Sequence, residues 1–318
     1  GDDSPVIAAG TLFSRFGSGI YDNLLLVKVN EVWMVDGAGP PYRLYRISDG
    51  FGCTAPGTLK VAHVSYEISP GITKHVAIWQ SSTDIVLFDG NTVSSISDDI
   101  ANYFDPAKSE CISAALVGKS EGFFDERRME YHWLFASGSS ATALNTELVY
   151  DVMKKKWFMV SRGTGKMIKI GFPVLDTNGF KYDYAALDTG YLERLEYGTT
   201  FDGGDIISKY QTGDIPFGGW MHRTEVRKIK HLARYKSTTT NNVTISHYGD
   251  CANTADATTV SASVKSSTLR VMKKIESVNW TGNVFHSFEC QLTTTNESVG
   301  YEPLGIGVFY KDVGEDIK

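Results

Sequence analysis

LNTELVYDVMKKKWFMVSR, residues 144–162, is the stretch on which the reading of the fold turns. Leu148 and Tyr150 alternate with polar neighbours, as on a strand with one face turned inward. A basic stretch, Lys154 to Lys156, follows, and Trp157, Phe158, Met159 and Val160 supply a second β-rich arm. Two such arms joined by a short polar turn form a hairpin. Its first arm closes on Tyr150-Asp151 and its second opens on Trp157.

The ending recurs. Trp33-Met34-Val35-Asp36-Gly37 and Val86-Leu87-Phe88-Asp89-Gly90 carry it, and Ala186-Leu187-Asp188 is a weaker copy. The spacings between these aspartates are 53, 62 and 37 residues. A four-stranded propeller blade takes roughly 40–50 residues, so the mean fits and the scatter marks a degenerate repeat. Residues 1–215 are therefore expected to hold four or five propeller-like blades, an irregular β-sandwich being the other reading. One short helix is expected over residues 97–104: Ser97 stands as N-cap, Asp98 and Asp99 suit the helix dipole, and Asp105-Pro106 closes it.

Beyond residue 215 the texture changes. TEVRKIKHLARYK, residues 224–236, fits an amphipathic helix as well as a strand. The strand is preferred because VTISHYGD, residues 243–250, follows a Thr/Asn-rich turn with an unambiguous period of two. Short strands continue at roughly ten-residue spacing to the end, which is the pattern of an antiparallel β-sandwich over 216–318. The fold class expected is all-β, a degenerate β-propeller-like domain followed by that sandwich.

Composition agrees. The 318 residues are 42% hydrophobic, with 16 Tyr, 16 Phe, 31 Gly and 9 Pro, and few runs of helix-forming residues. A net charge of −6 argues against a general nucleic-acid binder. No apolar run reaches the ~18 residues of a membrane-spanning helix. Cys53, Cys111, Cys251 and Cys290 lack CxxC spacing and read as buried free thiols, with a Cys251–Cys290 bridge as the alternative. The glycosylation-like triplets at Asn242, Asn279 and Asn296 are the matches a Thr-rich chain produces by chance. The chain opens Gly-Asp-Asp-Ser without Met, which reads as processing or as a fragment of something longer.

Enzyme motifs are scarce: there is no GxSxG, HExxH, Walker A or DxDxDG loop. Each of the seven histidines stands among strand residues and reads as structural. Asp98/Asp99 and Asp125/Glu126 are the adjacent carboxylates from which a glycosidase pair would be drawn. The first pair is accounted for at a helix start, the second beside Arg127 and Arg128 at a hairpin tip. The marked charge feature is Arg223, Arg227, Lys228, Lys230, His231, Arg234 and Lys236, read as a solvated strand face or as a surface for a neighbouring subunit. Arg223, Arg227, Lys228, Lys230 and Arg234 are the candidate subunit-interface residues. No catalytic, cofactor-binding or metal-binding residue is assigned.

IVLFDGNTVSSISDDIANYF (85–104), LVYDVMKKKWFMVSR (148–162) and GYLERLEYGTTFDGGDIISKYQTGDIP (190–216) together resemble the tail hub or nozzle proteins of short-tailed bacteriophages. The closing strands are similar to the β-sandwich that often follows there. That resemblance implies a non-enzymatic virion structural protein of the tail, assembled in the host cytoplasm. It further implies a homo-oligomeric ring, sixfold by preference, around a channel that passes DNA without sequence-specific contact, next to other tail or adaptor proteins. A second reading from another class is a carbohydrate-binding or glycan-cleaving propeller of adhesin type. Trp79, Trp133, Trp157 and Tyr191 would then stack on sugar rings, though core packing accounts for the same side chains. A plain secreted β-protein, marked by two disulfides, is the third.

Overall fold

The computed structural model describes residues 3–16, 19–36, 39–69, 72–163, 165–197, 206–216, 222–235, 242–249, 260–263, 272–275, 280–281, 285–294 and 301–315. It divides the chain into two compact units, Gly1–Tyr197 and Gly198–Lys318.

The first unit is a series of antiparallel meanders, each built from consecutive strands. β1 (Val6–Phe16), β2 (Gly19–Lys28), β3 (Glu31–Asp36) and β4 (Arg43–Asp49) form the first. β5 (Lys60–Ser69), β6 (Ile72–Gln80), β7 (Ile85–Phe88) and β8 (Val93–Ser95) form the second. β9 (Glu121–Asp125), β10 (Glu130–Phe135), β11 (Thr146–Asp151) and β12 (Lys156–Val160) form the third. β13 (Ile168–Leu175), β14 (Lys181–Leu187) and β15 (Leu192–Arg194) make a three-stranded fourth sheet. The opening stretch of the sequence is the β11–β12 hairpin, with Tyr150 opposite Trp157 and Asp151 opposite Lys156.

Alternation along the strands explains how these sheets stack. On β6, Ala77 and Trp79 join Leu12, Leu25, Val27 and Val32 of the first meander. Val76 and Ile78 point the other way, into a core with Tyr131, Trp133 and Phe135 of β10. On the opposite face of the third meander, Phe123 and Leu134 meet Ile168, Ala185 and Leu187. The inner strands of the second and third meanders, β7 and β9 to β11 among them, are thus buried on both faces, whereas the outer strands β8 and β12 are largely exposed. The leading strands lie side by side, β1 against β5, β5 against β9 and β9 against β13. This is the propeller-like, all-β arrangement expected. It departs from separate blades in one respect: the end of β1 pairs with the start of β6, which fuses the first two meanders into one eight-stranded sheet.

Glycines permit the close approaches. A Cβ at Gly171 would fall inside the Phe123 ring, and one at Gly52 would fall inside the Val29 carbonyl. Gly50, two residues earlier, has φ +93 and nothing within 4 Å of its absent Cβ. The two therefore separate a steric requirement from a conformational one. Gly52→Ala is expected to cost about 3 kcal/mol or more, because the obstacle is backbone and cannot rotate away. Gly50→Ala should cost only the ~1–2 kcal/mol of a left-handed L-residue. Urea midpoints of the two variants check the order, and equal losses would refute the steric account.

The recurring aspartate has a local cause. Asp36, Asp89 and Asp151 each close the third strand of a meander. Asp89 Oδ1 accepts the amides of Asn91 (2.9 Å) and Thr92 (2.8 Å), and Asp151 Oδ1 accepts that of Lys154 (2.8 Å). These are Asx turns that hold the hairpin to the fourth strand. The spacing lengthens to 62 because two 3₁₀ helices, Asp98–Phe104 and Val117–Lys119, and the loop between them are inserted between β8 and β9. Asp188 closes the second strand of the fourth sheet instead, and its carboxylate meets Lys169 at 3.1 Å. It is not a fourth copy.

The expected helix is the 3₁₀ helix Asp98–Phe104, broken at Ile100. Ser97 precedes it without capping it; its Oγ accepts the Ile85 amide at 3.2 Å and donates to Asp84 at 3.1 Å. Serine here ties the helix start to β7 rather than to the helix itself.

The second unit is two antiparallel sheets. One orders β16 (Ile206–Gln211), β23 (Phe285–Thr294), β19 (Asn242–Gly249) and β20 (Val260–Ser263), with β17 (Ile215–Pro216) also on β23. The other centres on β18 (His222–Tyr235), flanked by β21 (Met272–Ile275), β22 (Trp280–Thr281) and β24 (Tyr301–Glu315). Residues 224–235 are strand, not helix. The pairing of β16 with β23 places residues 206–211 in this unit, so the boundary falls ahead of residue 215. Cys53 and Cys111 are free thiols, while Cys251 and the Cys290 side chain lie outside the described residues. Burial pushes the Cys53 thiol up to about 11, and its Sγ donates to the Ala55 carbonyl at 3.2 Å.

Candidate functional site

A groove of about 530 Å³ runs between the second and third meanders. One wall is the β7–β8 turn and the start of the 3₁₀ helix; the other is the β11–β12 turn. Its floor is apolar, formed by Val76, Leu87, Ile96 and Val152 together with Tyr150. Its rim is charged: Asp89, Asp98 and Asp99 on one side, Lys155 and Lys156 on the other, with Thr92 and Ser94 adding hydroxyls.

Each wall is fixed by contacts that cross the groove or border it. Trp157 Nε1 donates to the Ile96 carbonyl at 2.5 Å, so the third meander is tied to the second at a residue that lines the groove. Lys156 Nζ reaches Asp99 at 3.2 Å with both side chains exposed, an ion pair of little stabilising value. Lys155 stands at φ +54 in the turn, and its amide donates to the Asp151 carbonyl at 2.8 Å. Asp98 has no partner among the described residues. The groove therefore offers the Asp98 carboxylate as an acceptor over an apolar floor.

A second polar centre lies on the far face of the third meander. His132 Nδ1 is 2.8 Å from Glu147 Oε1, and Arg162 binds the same carboxylate through Nε (2.7 Å) and Nη2 (2.9 Å). The His132 ring stacks on Phe123 at 4.1 Å. Burial alone would raise the Glu147 carboxyl, but the hydrogen bonds from Arg162 and His132 outweigh it and hold it at about 2. All three side chains are buried and already satisfy one another, so this cluster is a structural tie. Among the described residues no group of His, Cys, Asp and Glu could hold a metal ion.

The sequence-based candidates separate. Asp98 and Asp99 come to the groove; Asp125 and Glu126 do not. Asp125 caps its own hairpin, accepting the amides of Arg127 (2.9 Å) and Arg128 (3.1 Å). Trp79 and Trp133 are fully buried and are not sugar platforms. Trp157 is half-buried and bonded to Ile96 without lining the groove, and Tyr191 is exposed on the β14–β15 turn outside it. The interface candidates lie on β18, with Arg223 opposite Gly314, Lys228 opposite Phe309, Lys230 opposite Gly307 and Arg234 opposite Glu302. Arg227 falls at the irregularity between Val226 and Lys228. Lys230 Nζ lies 4.7 Å from the Phe309 ring centre; the other four side chains lie outside the described residues. Other polar groove residues, among them Asp89, Tyr150, Lys155 and Lys156, carried only turn and strand signals in the sequence.

No family model and no curated protein sequence matches the chain. Solved structures do. An exo-β-1,3-galactanase from Phanerochaete chrysosporium, with galactose, matches at 11% identity over 91% of this chain and 78% of its own, with a TM-score of 0.24. A bifunctional GH43-CE protein of Bacteroides eggerthii matches at 11% identity over 97% of this chain and 55% of its own, with a TM-score of 0.30. A glycoside hydrolase matches at 12% identity, 93% and 83% coverage, and a TM-score of 0.26. These findings correct the reading as a non-enzymatic phage tail hub or nozzle protein: the proteins matched are glycoside hydrolases, not virion tail components. The virion, tail and DNA-ejection roles fall with it, and so does the expectation that the chain is no enzyme. At these TM-scores and identities the matches assign neither residue nor reaction, and the site's chemistry rests on its own side chains.

Proposed function

We propose that the chain is a glycan-recognising, propeller-like protein that seats a short oligosaccharide in the groove between its second and third meanders. The observation that carries this is the two-sided character of the groove. A pyranose ring presents apolar C–H faces and a hydroxyl-studded edge. Val76, Leu87, Ile96 and Tyr150 suit the former, and the carboxylates, hydroxyls and ammonium groups of the rim suit the latter. The volume lies within the ~300–1,000 Å³ of ordinary small-ligand sites. Three rim aspartates also supply the carboxylates from which a glycoside-cleaving pair is drawn.

The test is thermal unfolding against a panel of oligosaccharides, with release of reducing ends measured in the same samples. A ligand at a hundredfold excess over its Kd should add about 2.7 kcal/mol of stability. Replacing both Asp98 and Asp99 by Asn should remove that gain while leaving the unliganded protein close to its original stability. If no glycan stabilises the protein, or if the double variant responds as the parent does, the groove is not a glycan site.

A further inference from the structure

On the fourth sheet, Ala185 and Leu187 of β14 turn inward, against Phe123 and Leu134 of the third meander. Alternation therefore turns Tyr182 and Tyr184 outward, with Val174 and Phe172 opposite them on β13 and Arg194 opposite Tyr184 on β15. The Arg194 guanidinium carbon lies 3.6 Å from the Tyr182 ring centre and 4.6 Å from that of Tyr197. Such contacts use the flat faces of a guanidinium and leave its N–H edges open. Among the described residues no hydrogen bond or ion pair takes up those edges. The neighbouring acids are engaged elsewhere: Glu193 is paired with Lys166 at 3.7 Å and Glu196 with Arg128 at 2.5 Å. Arg194 is thus a cation held by two rings rather than by a carboxylate, on a face where Tyr197 is 71% exposed.

We propose that this face is a second saccharide site, for an acidic glycan whose uronate carboxylate docks on Arg194. The saccharide part rests on the function proposed for the groove; the anionic part rests on Arg194. A carboxylate accepts two parallel N–H bonds from an open guanidinium edge and lies in its plane. In a uronic acid the carboxylate is fixed directly to the pyranose, so the sugar ring is carried across the neighbouring aromatic surface. Tyr182 and Tyr197 offer that ring the flat apolar area its C–H face needs. An acidic peptide side chain would meet Arg194 on a flexible stem, with no ring to set against the tyrosines. None of these residues lines the groove, so the two sites can be disabled one at a time.

Calorimetric titration of trigalacturonate, its methyl ester, triglutamate and sodium sulfate into the parent protein and Arg194→Gln tests this. Trigalacturonate should bind the parent about ten- to a hundredfold more tightly than the ester, as hydrogen bonds to a charged group allow. Arg194→Gln should erase that difference. Equal binding of acid and ester overturns the proposal, and so does full affinity in Arg194→Gln. Triglutamate or sulfate binding as tightly as trigalacturonate overturns it too, since the site would then read an anion alone. Should Arg194→Gln not fold, Tyr197→Ser, at an exposed side chain, is read instead: it should weaken trigalacturonate several-fold, and unchanged affinity overturns the site. The double replacement of Asp98 and Asp99 by Asn separates the two readings. If it abolishes trigalacturonate binding while Arg194→Gln does not, the second site falls and the groove stands. If it leaves that binding intact and no neutral glycan stabilises the parent, the groove falls and the second site stands.

Discussion

Glu147→Ala is expected to lower unfolding free energy by about 3–5 kcal/mol, among the largest losses a single substitution here can cause. The reason is what remains behind. Arg162, 8% exposed, would keep its charge and lose both hydrogen bonds to the carboxylate, and His132 would lose the acceptor that orients its ring. Glu147→Gln restores an acceptor for His132 and leaves the Arg162 charge uncompensated, so most of the loss should persist. The pH profile separates this carboxyl from others. Its folded value of about 2 lies below the usual 4.5, so its stabilisation is present above pH 4.5 and is lost as pH falls through 2. The part that disappears is on the order of 3 kcal/mol. Urea titrations from pH 7 down to pH 2 should show that decline in the parent and a flatter line in Glu147→Gln. An unchanged slope would mean the ion pair contributes nothing.

Trp133→Ala is expected to cost about 3–5 kcal/mol for a different reason. The ring is fully buried, stacks on Phe135 at 3.9 Å and lies parallel to Phe104 at 5.4 Å. Its Nε1 donates to Gln80 Oε1 at 2.9 Å. That bond belongs to a polar strip in which Gln80 also binds Thr54 and Thr58, and Tyr131 donates to the Thr58 carbonyl at 2.8 Å. Trp133→Phe keeps most of the packing and orphans Gln80, so roughly 1–3 kcal/mol should be lost. Circular dichroism during urea unfolding measures both. If alanine were no worse than phenylalanine, the cavity would have collapsed and the packing account would fail.

Strand positions were legible where alternation was strong. Tyr131, Trp133 and Phe135 share a face in the sequence and share a core in the fold. The third-strand aspartates marked the hairpins because an Asx turn needs only local residues. Asp125 and Asp176 make the same kind of turn after first strands, at Phe123-Phe124-Asp125 and Val174-Leu175-Asp176, and so fall outside the blade-length period that links the third-strand copies. The His132–Glu147 contact was not legible at all. His132 stands opposite Val149 and Glu147 opposite Leu134, so the pair is diagonal and depends on a register that no short motif records. The groove was hidden for the same reason, because its walls come from three separated segments. Trp79 and Trp133 looked like sugar platforms only while their burial was unknown.

The pairing of β1 with β6 also bears on how the chain comes off the ribosome. Each later meander is made of consecutive strands, so its hydrogen bonds close soon after its residues emerge. At roughly 5–20 residues per second, one such meander takes several seconds to synthesise. The first cannot finish in that way. Its leading strand must wait for Ile72, Thr73 and Lys74 before its end is paired. The earliest section able to settle is therefore the double sheet through Ser95, and the third and fourth sheets are laid onto a surface that already exists.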